Sequence, residues 1–455
     1  MNRSLFVALC LLLTSGGFVT ESNGQQRQIT FDDAVSIALD RNVELKKAEN
    51  DVGLQEQIVS REKAAFLPNL NLSTRSSRNW GLTFDQTSFQ LVTEASNTFS
   101  MNASSSINLF NGFGDVASLR QAQSTLESSN LTFERQKQTV FFSVIQSYLQ
   151  VILDQERVGI RAEDVEAQRQ QLRRIEEFTR VGSRPISDLY QQQANLANAE
   201  LVLLESERAA QLSQVRLIQV MELDPMQDYS FVAPAREELD LDADSYDLDA
   251  LMRAAFEQRK DIRSLDASIE AANEGIRIAK SSRYPSLNMS GGASTSYSSL
   301  RLDPLSRDKI NFGDQLSDNR AGSVGLTLSV PIFNRLLTKT NIEQAKIRYS
   351  NLNLDRQNLE QNISLEVRQS YLDYFTAVKR LDVTEKQLRA ARQSEAVERE
   401  RYDIGASTLV ELTQARANLV DAESQRVQAV YQFIFQEQVI EYYLGTLNPA
   451  QQLFR

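Results

Sequence analysis

The chain contains no histidine and a single cysteine, Cys10. The side chains that most often serve as general base, nucleophile or transition-metal ligand are therefore missing or nearly so. A Ser-His-Asp or Cys-His system cannot be assembled, and neither can a histidine zinc site. What remains is carboxylate, with 60 Asp and Glu against 49 Lys and Arg. Carboxylates alone can support acid–base chemistry, or they can charge the wall of a passage that attracts cations. Asp188 and Glu411 both fall at the start of a helical pattern, where the helix dipole by itself favours an acid. The densest acidic run, Glu237 to Asp249, has alternating Asp240, Asp242 and Asp244. It lacks the two residues a calcium loop needs: Ser245 stands in place of the turn glycine and Leu251 in place of the bidentate glutamate. That run reads as a solvated linker. No catalytic set, metal site or cofactor site emerges, and an enzyme is not expected.

The net charge of −11 argues against a nucleic-acid partner. It suits the solubility of a long exposed surface or, as the sharper alternative, a cation-attracting passage. Residues 1–24 have a basic start at Arg3, an apolar run from Leu5 to Leu13 and small polar residues ending at Gly24. This is the layout of a cleaved secretory signal, too short to span a bilayer. Cys10 lies inside it, so the exported chain is expected to carry neither a disulfide nor a thiolate.

The elements that position these residues occur twice. Gln121-Ala122, Gln146-Ser147-Tyr148-Leu149 and Ala194-Asn195-Leu196 recur as Gln344-Ala345, Gln369-Ser370-Tyr371-Leu372 and Ala417-Asn418-Leu419, all at an offset of 223 residues. Nearer the N-terminus the offset is 217, from Pro68-Asn69-Leu70-Asn71-Leu72-Ser73 to Pro285-Ser286-Leu287-Asn288-Met289-Ser290. One register held across so many segments indicates two tandem copies of one unit, at 28–225 and 247–448. An acidic linker at 226–246 joins them and a tail, 449–455, follows.

Each unit opens with an amphipathic helix, from Thr30 to about Phe66 and from Asp247 to about Arg283, stopped by Pro68 and Pro285. The period then changes to two. Leu70 and Leu72, Ile107 and Leu109, Leu287 and Met289, and the run Val324, Leu326, Leu328 and Val330 alternate with small polar residues. This describes a strand with one wet face or, in an exported protein, one lipid-facing side. Trp80 to Ser96 and Ser298 to Arg320 suit exposed loops, and Trp80, Phe84, Phe89 and Phe99 could form an interfacial aromatic belt. One chain supplies four strands, and an open four-stranded sheet leaves its edges unpaired in lipid. Two chains would give eight strands and a filled barrel. Three would give twelve and room for a channel, and three is the expectation.

A far longer helix follows each strand pair, from Asp115 to about Thr179 and from Leu336 to about Tyr402. At 1.5 Å per residue each reaches roughly 100 Å. Leu126, Leu131, Val140, Ile145, Leu149 and Ile152 form a narrow apolar stripe on the first. Leu352, Leu359, Ile363, Val367, Leu372 and Phe375 do so on the second. That is the pattern of a coiled coil or helical barrel. Both helices end at glycine turns, Val181-Gly182-Ser183 and Ile404-Gly405-Ala406, and a return helix runs back from each. Ser187 with Asp188, and Thr408 with Glu411, are placed to cap or charge the return helices.

With these elements in order, the chain resembles the TolC family of outer-membrane efflux and secretion ducts over about residues 28–448. The resemblance rests on the duplicated helix–strand–strand–long helix–return helix unit and on Tyr402-Asp403-Ile404-Gly405 leading into Leu409-Val410-Glu411-Leu412. It rests also on the strand endings Leu109-Phe110-Asn111-Gly112 and Pro331-Ile332-Phe333-Asn334. It implies a mainly α fold with a small β part: a homotrimer with a twelve-stranded β-barrel in the outer membrane, continuous with an α-helical barrel in the periplasm. The implied function is the exit duct of a tripartite efflux pump or type I secretion system. Its tips would be opened by a periplasmic adaptor and an inner-membrane transporter. Carried over by residue, Val181, Gly182, Ser183, Ile404, Gly405 and Ala406 match the adaptor-contacting tips. Tyr402 matches a tyrosine that helps hold the tip closed, and Asp188 a carboxylate of the same network. Glu411 takes the place of an acidic pore ring. Gln414 stands where a second acid is found, and Ser407 replaces an arginine. The alternative is a periplasmic coiled-coil adaptor or scaffold, which would need a compact β-domain beside its hairpin.

Overall fold

The computed structural model describes residues 27–85, 90–233, 241, 243–303 and 305–448. The expected signal at 1–24, the tail at 449–455, Phe89 and most of the acidic run lie outside the described residues. In chain order the elements are β1 (Arg27–Ile29), α1 (Phe31–Arg41), α2 (Val43–Ala64), β2 (Asn71–Asn79), β3 (Thr83–Asp85), β4 (Gln90–Val92), β5 (Ser96–Asn111), α3 (Gly114–Arg180) and α4 (Ile186–Val220). They continue with β6 (Tyr229–Phe231), α5 (Leu248–Gln258), α6 (Lys260–Ser281), β7 (Ser286–Ser298), α7 (Phe312–Asp318), β8 (Ala321–Ser329), α8 (Leu337–Asp403) and α9 (Leu409–Leu444).

Thr30 and Asp33 close a reciprocal capping box that starts α1. Each opening helix, expected to be continuous, is broken once. Asn42 leaves helical geometry and its side chain accepts from the Leu45 N–H at 2.9 Å, which starts α2 afresh. In the second unit the break falls at Arg259. This buried guanidinium donates to Asp261 and Glu366, each at 2.6 Å, while its backbone packs against Gly445 at the end of α9. Neither break interrupts the apolar spacing, so periodicity alone cannot reveal it.

β2, β5, β7 and β8 form one antiparallel sheet in that order, with Leu72 opposite Ala103, Ala103 opposite Ala293 and Met289 opposite Leu326. The expected loops carry structure of their own, a β3–β4 hairpin in the first and α7 in the second. Two strand-to-helix turns match across the duplication. Gly112 and Phe113 take φ of 67° and 64°, and Arg335 and Leu336 take 54° and 64°. At Gly112 a Cβ would lie 2.6 Å from the Ser281 carbonyl oxygen. Gly112→Ala is therefore expected to destabilise by roughly 2 kcal/mol, and Arg335→Gly to stabilise by up to roughly 1 kcal/mol. Thermal melts of the two variants check both signs.

The long helices span 67 residues each and reverse at Gly182 and Gly405. α4 folds back along α3 and α9 along α8, while α6 lies between α3 and α8 and α9 also touches α3. The α3–α6 seam is close because it is lined by small hydroxyls: Ser128 meets Ser264 at 2.9 Å and Ser268 at 2.8 Å. The main core lies midway along the bundle, where Phe31, Phe141, Tyr148, Phe231, Tyr374 and Phe433 meet. Strands β1 and β6 pair in parallel there, and the Tyr148 hydroxyl donates to the Val232 carbonyl at 2.7 Å. These three-residue strands are too short to show a period in sequence.

Candidate functional site

Two regions stand out, one at each end. On the sheet, Leu72, Met101, Leu287, Met289, Val324, Leu326 and Leu328 share one face and are exposed or half-buried. Asn71, Ser73, Asn102, Ser104, Asn288, Ser290, Thr327 and Ser329 share the other. Both outer strands, β2 and β8, are nine residues long and lack a partner on their outer edges among the described residues. Of the expected aromatic belt, Trp80 and Phe84 are exposed, whereas Phe99 packs on Phe312 of α7. No helix among the described residues is long and apolar enough to cross a membrane.

At the other end the two reversals are built alike. The Gly182 N–H donates to Thr179 and the Ser183 N–H to Phe178; Gly405 and Ala406 bond to Tyr402 and Arg401 in the same way. Both glycines take left-handed φ, 76° and 78°, with open space where a side chain would be. Val181 and Ile404 project into solvent. Behind them Ile175, Leu189, Tyr402, Leu409 and Leu412 form a small apolar cluster drawn from all four helices.

Tyr402 is buried in this cluster. Burial raises its pKa above the ordinary phenol value. Asp188 and Asp403 add to the rise and Arg184 opposes it, so the ring stays neutral at physiological pH. The hydroxyl is enclosed near Gln171 without an aligned hydrogen-bond partner. What holds Tyr402 is Arg184 of the first tip, stacked 4.3 Å from the ring and donating to the Tyr402 carbonyl at 2.8 Å. Sequence reading missed Arg184; its only signal was a cation at the first reversal beside a proline. Asp188 lies in the first turn of α4, but Ser187 is no cap: Pro185 holds that position, without a side-chain cap bond.

Thr408 and Glu411 form the capping box expected of them. One Glu411 carboxylate oxygen accepts from the Thr408 N–H at 2.9 Å and lies 2.7 Å from the Ser407 hydroxyl, which also sits 2.8 Å from Glu398. The Thr408 N–H, followed by the two hydroxyls, holds the Glu411 carboxyl below the usual carboxylate range. A depressed folded pKa gives stability that is present above the unfolded value and lost as pH falls through the folded one. Amide protection at the start of α9, taken relative to the intrinsic exchange rate at each pH, is therefore expected to fall below about pH 4, and in Glu411→Gln to lose that dependence. Gln414 is exposed and donates to Asn418 at 2.9 Å. It lines a polar cleft shared with Asn195, whose amide donates to Thr413 at 3.2 Å. The sequence-identified tip residues thus gather at one end, with Tyr402 buried and Glu411 and Gln414 at the surface.

Residues 34–221 and 251–446 match the family described as outer membrane efflux protein. The chain belongs to that family. Outer membrane protein TolC of Salmonella enteritidis is 22% identical over 100% of this chain and 88% of its own length. Alkaline protease secretion protein AprF of Pseudomonas aeruginosa is 23% identical over 98% of this chain and 89% of its own. The crystal structure of the Campylobacter jejuni CmeC outer membrane channel, 18% identical, superposes with a TM-score of 0.76 over 93% of this chain and 87% of that one. Membership of the outer membrane efflux protein family places the chain in the outer membrane. It also makes it a transport protein rather than an enzyme, and favours the duct over the adaptor alternative.

Proposed function

We propose that three copies of this chain close a twelve-stranded barrel in the outer membrane and an α-helical tunnel below it. The assembly is the exit duct of a tripartite efflux pump or type I secretion system. The observation that carries this reading is the pair of bare sheet edges. β2 and β8 are equal in length, lie on a sheet that keeps its large apolar side chains to one face, and can be satisfied in lipid only by closure with further copies. Lipid covers the Leu72–Leu326 face and water the Asn71–Ser290 face.

The helices support the same closure. Ile347, Leu354, Leu365, Leu372, Val383 and Val397 of α8 recur at steps of seven, eleven or fourteen residues, all exposed, opposite the buried Ile363, Val367 and Tyr374. Leu372 and Phe375, expected in the same stripe as Ile363, thus belong to a second apolar face. α4 carries a similar bare stripe in Leu201, Leu204, Leu212 and Val215. In the first unit α3 is met by α9; repeated around an axis, the second unit's α8 is met by the next protomer's α4.

The tips are the gate and the docking end. Val181, Gly182, Ser183, Ile404, Gly405 and Ala406 meet the periplasmic adaptor, which couples the duct to an inner-membrane transporter. Tyr402, with Arg184 and Asp188, holds the hairpins together, and Glu411 with Gln414 lines the passage they constrict. The transporter and adaptor supply the energy for opening. Residues 1–24 direct export, and 226–246 join the units 28–225 and 247–448. Outer-membrane fractions run without and with heating test this reading. A trimer-sized band that collapses to the monomer on heating is expected, and recovery only as a soluble periplasmic monomer contradicts it.

A further inference from the structure

Between the two helical hairpins, beside the apolar tip cluster, lies a cavity of about 150 Å³ walled by all four long helices. Arg174 of α3, Arg399 of α8 and Arg416 of α9 line it against a single lining carboxylate, Glu395. Such a concentration of guanidinium runs against a chain whose acids outnumber its bases. Two of these arginines are already met by acids, and the third, Arg174, is exposed. Glu395 is buried and pairs with Arg399, with Arg416 a further 3.9 Å away, and Arg416 also donates to Asp164 at 3.0 Å. Arg174 has no acidic partner among the described residues.

The fourth wall is Gln192 of α4, which is 1% exposed. Its amide nitrogen donates to the Gln168 carbonyl at 3.1 Å and to the Gln168 side-chain oxygen at 2.7 Å. Two acceptors on that nitrogen fix which way the amide points. The Gln192 Oε1 is left buried with no partner. A buried acceptor in that state calls for a donor.

We propose that this cavity is a binding site for free hydrogenphosphate. Three arginines against the two carboxylates of Glu395 and Asp164 leave one positive charge in excess, which favours an oxyanion that arginine binds in fork geometry. Gln192 requires that the same ligand carry an O–H. Hydrogenphosphate offers both in a volume the cavity holds; sulfate has the shape and charge but no proton at neutral pH, and a phosphomonoester dianion likewise has none. Because its walls come from both hairpins, the bound ion ties one hairpin to the other.

Calorimetry on the full-length protein in detergent at pH 8, in phosphate-free buffer, tests the site with inorganic phosphate, sulfate and methyl phosphate. The expected result is phosphate binding about tenfold tighter than either of the others, matching the loss of one hydrogen bond to a buried acceptor. Arg399→Gln should weaken phosphate binding about tenfold or more, and Gln192→Leu should bring phosphate down to the sulfate level. Circular dichroism melts identify variants that remain folded. Equal binding of phosphate and sulfate, no heat with phosphate, or unchanged binding in folded Arg399→Gln would each overturn the site. The readout is binding alone, so failure here is separate from failure of the duct reading.

Discussion

Glutamate at Leu365, Leu372 and Val383 together is expected to abolish assembly while leaving each protomer folded. These side chains are 68%, 53% and 58% exposed in the single chain, so in a lone protomer the substitutions exchange one solvated group for another. Ile363, Val367 and Tyr374, which hold α8 to its own chain, lie on the opposite face and are untouched. In the proposed trimer each position would lose the burial of a leucine or valine, worth about 1.5–3 kcal/mol, and would force an unpaired carboxylate into an apolar seam. Three such losses at each of three interfaces exceed what association can absorb. The trimer-sized band is expected to vanish, with circular dichroism showing the helix content retained. An intact trimer carrying all three glutamates would show that α8 does not face a neighbour along this stripe.

The second large effect is expected at the tip. Arg184 contributes a cation–π contact on Tyr402 and a charge-assisted hydrogen bond to its carbonyl, together about 2 kcal/mol or more. Arg184→Ala should shift the closed–open balance about thirtyfold toward open, since 1.4 kcal/mol is a factor of ten. Tyr402→Ala should open the tip further, because it also empties the space among Ile175, Leu409 and Leu412. Tyr402→Phe separates two accounts of the tyrosine. Its hydroxyl is buried without an aligned partner, so removing it should leave the gate closed or slightly tighter. An open channel in Tyr402→Phe would place the latch on the hydroxyl rather than on the ring.

Much of this architecture is legible in the sequence because duplication, proline stops and glycine turns are local signals. The ends of α3 and α8 fall within a residue or two of where Gly182 and Gly405 place them. The breaks at Asn42 and Arg259 are not legible, since one depends on a cap that competes with an uninterrupted apolar pattern. The other depends on Glu366, more than a hundred residues away. The second face of α8 was hidden for a related reason. A helix with two apolar stripes reads as one broad stripe, and only the packing of the single chain separates Leu372 and Phe375 from Ile363 and Val367. At the tip, Thr408 and Glu411 were recognisable as a capping box from spacing alone. Arg184 was not, because its partner is the ring of Tyr402, 218 residues on.

Ion conductance in planar lipid bilayers tests the central claim most directly. The purified wild-type protein is expected to give small discrete current steps, and Arg184→Ala and Tyr402→Ala much larger ones that favour cations over anions. Protein that inserts but conducts no better with either tip substitution would contradict a duct gated where the two hairpins meet.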